Sequence, residues 1–199
     1  MASFEQGASG LEQAVGATRG HFRYESGHHG DLWLDLEMLF IDTQRMWGWA
    51  KALARRAAVC RPDVICGPLT GGAFVAQLLA AETGAAFVFA ERLAGAAGPV
   101  RYHIPEPLRP ILPGKRLLLV DDAVNAGSAL LSTLADLREC EIELAGFASL
   151  LTLGEAAAQI SERHGVPFFT LASLERRMWT PAACPLCASG APLVDPIAQ

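Results

Sequence analysis

Two stretches carry residue types and spacings that suit a phosphorylated, polyhydroxylated ligand. Residues 117–129 read LLLVDDAVNAGSA: an aliphatic run, the adjacent carboxylates of Asp121 and Asp122, and a small turn through Asn125, Ala126, Gly127, Ser128 and Ala129. Paired carboxylates accept from sugar hydroxyls or hold a hydrated divalent cation. Backbone N–H groups in a turn that opens a helix favour an anion. A helix cap needs one oxygen acceptor, so capping alone leaves one of the two acids unexplained. The second stretch, GPLTGG at 67–72, also follows an aliphatic segment, and Thr70, Gly71 and Gly72 form a turn in which backbone approaches a bulky anion closely. Glycines serve ordinary tight turns too, so this motif gains weight only beside the first.

Both stretches need elements that bring them to one edge. Residues 43–59 place Met46, Ala50, Leu53 and Ala57 at helical spacing, with Lys51, Arg55 and Arg56 elsewhere on the wheel. Strands are expected at 62–67, 85–91, 117–120, 143–153 and 166–172, and helices at 73–82, 128–139 and 155–164. Strands of nearly unbroken hydrophobicity alternating with helices predict an α/β fold, a parallel sheet covered on both faces. Ligands of such sheets bind beyond the carboxyl ends of the strands, where both turns fall. Two anion-competent turns flanking a diol-binding pair fit phosphoribosyl pyrophosphate.

Composition narrows the classes. The chain has 199 residues and a formal net charge of -5, which argues against a broad basic face for nucleic acid. Hydrophobic residues make up 51%, much of it alanine, and no apolar run is long enough to cross a bilayer. The start, MASFEQGASGLEQAVG, lacks the features of a secretory signal and reads as a loosely docked segment with a helical turn near Leu11 to Val15. Five cysteines, an odd number, suggest no disulfide framework and point to a reducing cytoplasm.

With these motifs the chain resembles the type I phosphoribosyltransferases, and within them the orotate phosphoribosyltransferases. The family's acidic-pair signature is matched by LLLVDDAVNAGSA, its pyrophosphate loop by GPLTGG, and its N-terminal hood by GHFRYESGHHGDLWLDL at 20–36. The resemblance implies a hood and N-terminal segment over 1–42, a core with the type I phosphoribosyltransferase fold over 43–175 and a tail over 176–199. It implies that Asp121 and Asp122 bind the ribose hydroxyls, residues 125–129 the 5-phosphate and Thr70, Gly71 and Gly72 the pyrophosphate. Magnesium would arrive with the substrate, pyrophosphate would leave as a nucleobase attacks the anomeric carbon, and the enzyme would be a homodimer. Residues 92–115, rich in Gly and Pro, would be the loop that shuts out water.

The departures are specific. Orotate-type loops carry a lysine after the strand, whereas here no lysine occurs until Lys115, leaving Arg92, Arg101 and His103 as candidate catalytic groups. Glu25, Asn125 and Glu155 stand where the orotate enzymes place a lysine, a threonine and an arginine; with Ser26, Glu25 and Glu155 are the candidate base contacts. An acid about 4 Å from orotate's carboxylate opposes binding by about 4 kcal/mol at an effective dielectric near 20, so a base other than orotate is expected. The missing lysine leaves open a second class, a catalytically weak sensor of phosphoribosyl pyrophosphate or a nucleotide.

Other features are left with alternatives. CPLC at 184–187 has metal-knuckle spacing, but Cys60, Cys66 and Cys140 supply no second pair, so a zinc shared between subunits and a turn with free thiols are both open and no metal ligand is assigned. His28 and His29 are either substrate contacts or surface residues. Trp33, Trp47 and Trp49 are expected to pack, and Trp179 to pin the tail.

Overall fold

A computed structural model describes residues 5–24, 26–93 and 100–196. In chain order the elements are α1 (Glu5–Ala14), β1 (Thr18–Arg23), β2 (His29–Trp33), α2 (Thr43–Ala57), β3 (Val64–Pro68), α3 (Gly71–Thr83), β4 (Ala86–Leu93) and β5 (Arg101–His103). They continue with β6 (Arg116–Val124), α4 (Ser128–Leu137), β7 (Glu143–Leu153), α5 (Ala156–His164), β8 (Phe168–Leu174), β9 (Met178–Trp179) and α6 (Pro185–Ala188). The chain divides into two compact units, residues 42–173 and residues 1–41 with 174–199. The first and last segments of the sequence thus fall in one unit.

The larger unit holds a six-stranded sheet in the order β5-β4-β3-β6-β7-β8. β4, β3, β6 and β7 are parallel neighbours, and β5 returns antiparallel to β4. Leu117, Leu118, Leu119 and Val120 are at most 1% exposed, as a strand covered on both faces requires. One face carries Val64, Cys66, Val88, Ala90, Leu117 and Leu119 against Leu130, Leu134 and Leu137 of α4. The apolar stripe expected on α2 is buried at Met46, Ala50, Leu53 and Ala57, with Ala54 added. α3 ends at Gly84, whose φ of 74° provides the left-handed cap. Strand order reverses at β3: the chain passes from β3 to β4 on one side, and later β6 lies on the other. The switch point is therefore the crevice between the carboxyl ends of β3 and β6.

The smaller unit contains the sheet β1-β2-β9. Residues 5–14 form a helix, α1, where a single loosely docked turn is expected, and Leu11 and Val15 are fully buried. Among the described residues no helix is long and apolar enough to cross a membrane.

Candidate functional site at the β3 and β6 strand ends

The acids lie further inside the sheet than their sequence suggests. β6 does not stop at Val120 but runs to Val124, so Asp121 and Asp122 are strand residues, with Asp121 opposite Ser149 of β7. Pairing with β3 ends at Cys66 and Leu119, so the acids lie beyond the last β6 residue that pairs with β3. Asp121 is only 8% exposed. Burial and the adjacent Asp122 carboxylate hold its pKa well above the usual carboxylate range. The Asp122 N–H donates to Asp121 Oδ1 at 3.1 Å and the Ala123 N–H to Asp122 Oδ1 at 2.8 Å.

The start of α3 is pressed against this pair. A Cβ on Gly71 would overlap the Asp122 carboxylate, and one on Gly72 would stand 2.6 Å from Asp121 Oδ1 and 2.8 Å from the Pro68 ring. Only glycine lets the backbone of the 67–72 turn come this close. The two stretches read as separate motifs thus share one crevice. The Leu69–Thr70 peptide bond is cis.

Helix starts at this edge differ from that of α2. There Asp42 accepts from the Gln44 and Arg45 N–H groups at 3.1 and 3.0 Å. α3, α4 and α5, which follow β3, β6 and β7, begin at Thr70, Gly127 and Glu155 with no side-chain cap. Their first-turn N–H groups are the donors a phosphate would take. Gly127 adopts φ 75° to turn the chain into α4, while Asn125, Ala126 and Ser128 are exposed around it and Ala129 is half-buried. Thr70 is exposed and Gly71 half-buried.

The described residues of the segment expected to be one long loop, 92–93 and 100–115, are largely built structure. β4 extends to Leu93, and the β4–β5 pairing sets Arg92 opposite Tyr102, Leu93 opposite Arg101 and Glu91 opposite His103. Paired residues point to one face, so Arg92 and Tyr102 share the face of Val88 and Ala90, and Arg101 and His103 stand on the other. The three candidate catalytic groups therefore do not converge. His103 Nε2 lies 3.8 Å from Glu91 Oε2. From β5 onward the chain is pinned to α4: the Tyr102 N–H donates to Ser132 Oγ, the Ile104 N–H to Asp136, and Arg109 Nη2 to both Asp136 oxygens at 2.7 Å. Arg109 is a clamp in this arrangement, and Ile104 and Leu112 are fully buried.

Tyr102 is the residue that motif reading passes over. Its phenol pKa is raised by burial and by the Asp121 and Asp122 carboxylates, with Arg92 opposing, which puts its ring in the field of the acidic pair. No sequence signal marks it, because only the return of β5 onto β4 brings it there.

Of the candidate base contacts, Glu25 lies outside the described residues, Ser26 is exposed in the turn between β1 and β2, and Glu155 is exposed at the start of α5. His28 is half-buried in the same turn, and His29 opens β2, buried.

Comparison with known proteins fits this geometry. Residues 48–170 match the family model of the phosphoribosyl transferase domain. The chain is 29% identical over 180 residues to the orotate phosphoribosyltransferase of Heliobacterium modesticaldum, covering 89% of this chain and 88% of that one. Its fold is like that of the orotate phosphoribosyltransferase of Aeropyrum pernix, with TM-score 0.64 and 21% identity over 83% of this chain and 92% of the other. It is also like the adenine phosphoribosyltransferase of Leishmania tarentolae, with TM-score 0.62 and 20% identity over 83% and 86% of the two chains. The acidic pair at a strand end and the glycine turn beside it lie within the matched span, and the chain belongs to the phosphoribosyl transferase domain family.

Proposed function

We propose that the protein transfers ribose 5-phosphate from magnesium-bound phosphoribosyl pyrophosphate to a nucleobase, releasing pyrophosphate. The observation that carries this reading is the approach of Gly71 and Gly72 to Asp122 and Asp121. It joins acceptors for a diol to donors for two phosphates in one crevice. The carboxylates take the ribose hydroxyls, the uncapped start of α4 holds the 5-phosphate, and that of α3 holds the pyrophosphate as charge grows on it. A buried carboxylate beside a second one is costly, and hydroxyl donors or the substrate's cation relieve that cost, so the pair suits the magnesium complex. The cation supplies charge stabilisation of the leaving pyrophosphate. We assign to Arg92 the positive charge nearest this chemistry, because it shares a face with Tyr102. Arg101 and His103 act, on this reading, only through the far side of the hairpin.

The base is one other than orotate. Support comes from Asn125, exposed in the β6–α4 turn, and Glu155, exposed at the head of α5, where acid rather than cation would meet a carboxylate. A homodimer is also proposed. Leu69 and Phe74, 36% and 45% exposed beside the α3 start, are apolar side chains that a second copy would cover. A cytoplasmic location is in keeping with five cysteines, none of them in a disulfide.

Pyrophosphate release should be measured with magnesium, phosphoribosyl pyrophosphate and each of orotate, uracil, adenine, guanine, hypoxanthine and xanthine. A specificity constant highest for a base without a carboxylate is expected. Orotate leading the series sinks the base assignment, and binding of phosphoribosyl pyrophosphate without turnover on any base replaces the transferase with a sensor. Light scattering at micromolar concentration tests the dimer, and a monomeric mass rejects it.

A further inference from the structure

The smaller unit gathers four metal-binding side chains at one point. His21 of β1, His29 of β2, and Cys184 and Cys187 at the α6 turn each aim one ligand atom inward, and these atoms all lie within 4.8 Å of one another. His21 Nε2 is 3.1 Å from His29 Nδ1, 3.4 Å from Cys184 Sγ and 3.7 Å from Cys187 Sγ, and Cys187 Sγ is 3.2 Å from His29 Nδ1. Bond lengths of about 2.0 Å to nitrogen and 2.3 Å to sulfur around a tetrahedral ion imply edges of roughly 3.3 to 3.8 Å between ligand atoms. The observed spacings fall on that scale. A hydrogen-bonded quartet would need no such mutual convergence.

The surroundings support a closed site. His21, His29 and Cys184 are buried, at 4%, 6% and 3% exposure. His21 Nδ1 lies 2.9 Å from the Ala191 carbonyl oxygen, an outer contact that makes Nδ1 the donor and leaves Nε2 as the lone-pair atom facing the cluster. β1 and β2 are antiparallel with Arg23 opposite His29, so His21 is the diagonal neighbour of His29 across the strands. The sequence holds Cys-x2-Cys and a histidine pair more than a hundred and fifty residues apart, and each alone is half a set.

We propose that His21, His29, Cys184 and Cys187 form a structural Zn2+ site that ties the C-terminal segment to the first strand pair. Two thiolates and two imidazoles in tetrahedral array select zinc, and four protein ligands leave no position for substrate. The site replaces both alternatives held open from the sequence, a zinc shared between subunits and a turn of free thiols. Beside it, the segment is already strung along β1: the Val194 N–H donates to the His21 carbonyl at 2.8 Å, and the Arg23 N–H to the Val194 carbonyl at 2.9 Å. Arg23 also pairs with Asp195.

The test uses the full chain without a histidine tag, purified after zinc-supplemented expression and dialysed. Elemental analysis should find one zinc per chain. A mercurial that caps thiols should release that zinc to a chromogenic chelator in proportion to the cysteines modified. Co2+ reconstitution should give the visible bands of tetrahedral cobalt with thiolate charge transfer. Cys187→Ser, at the exposed ligand, and His29→Ala, at a buried one, should each lower zinc retention at least tenfold. Less than a tenth of an equivalent of zinc in the wild-type chain, even after incubation with equimolar Zn2+, overturns the site. Copper or nickel retained in place of zinc overturns the assignment of the metal. Octahedral cobalt spectra, or full zinc content in both variants, overturn the ligand set. The wild-type and cobalt measurements need no variant, so misfolding of a substituted chain leaves the proposal testable.

Discussion

The crevice between β3 and β6 and the His/Cys cluster of the smaller unit are built on opposite terms. In the crevice, each contributing piece is local: a strand, a turn and a helix start carry their own donors or acceptors within a dozen residues. The surrounding sheet supplies stability, and the site spends some of it by burying Asp121 beside Asp122. In the cluster, ligands come from both ends of the chain, in a unit formed of residues 1–41 and 174–199. A unit of that size rarely gains enough from apolar burial alone, and a metal is one of the usual staples. One site draws on the fold's stability, and the other supplies it.

That contrast can be broken at several points. The largest effect is expected from metal removal. Structural zinc contributes an apparent 10–16 kcal/mol in small domains, so a strong chelator should bring the amides of β1, β2 and β9 to nearly unprotected hydrogen exchange. Those of β3, β6 and β7 should stay protected. Equal loss in both units would mean that the two are not held by separate means.

Next in size is the ligand response. Magnesium phosphoribosyl pyrophosphate at a hundred times its dissociation constant should stabilise the wild-type chain by about 2.7 kcal/mol. Asp121→Asn with Asp122→Asn should abolish that gain in a thermal melt while zinc content is unchanged. A persisting shift would remove the acids from the site.

Gly72→Ala should follow. Its Cβ meets Asp121 Oδ1, the Pro68 ring and, at 3.0 Å, the Val120 carbonyl, and all three belong to the strands β3 and β6, which cannot yield. A loss of about 1–3 kcal/mol in chemical denaturation is expected, together with weaker substrate binding. Unchanged stability would show that the turn is not packed against β6.

Asp121 gives the pH dependence its sign. The folded-state pKa is raised, so the folded chain holds this proton more tightly than the unfolded one. The stability associated with it is fully present below the unfolded value of about 3.9 and is lost as pH rises through the raised value. Above that value, Asp121→Asn should melt higher than wild type without ligand, and the difference should close as pH falls. Substrate affinity of the wild type should decline over the same window, as the carboxylate takes up its proton. A variant less stable than wild type at high pH would contradict the burial argument.

The smallest effect separates a capped helix start from an uncapped one. Asp42→Ala removes the acceptor of the Gln44 and Arg45 N–H groups and should cost about 1 kcal/mol, with substrate affinity unaltered. A change in affinity would mean that α2 is coupled to the crevice.

The sequence by itself determined most elements of the larger unit, β5 excepted, and the chemistry at their ends. Apolar runs within 62–67 and at 117–120, the apolar stripe of Met46, Ala50, Leu53 and Ala57, and the glycines at 71, 72 and 84 act through neighbours a few residues away, so their meaning survives without coordinates. Tertiary structure alone decided the rest. It carried β6 past the acids, returned β5 so that Arg92 and Tyr102 faced one way and Arg101 and His103 the other, and clamped Arg109 on Asp136. It also set CPLC against His21 and His29. Each of these depends on pairing across long separations, where side-chain direction follows register and register follows the packing of the whole sheet. A motif records what its residues can bind, and long-range pairing selects which other residues complete the set.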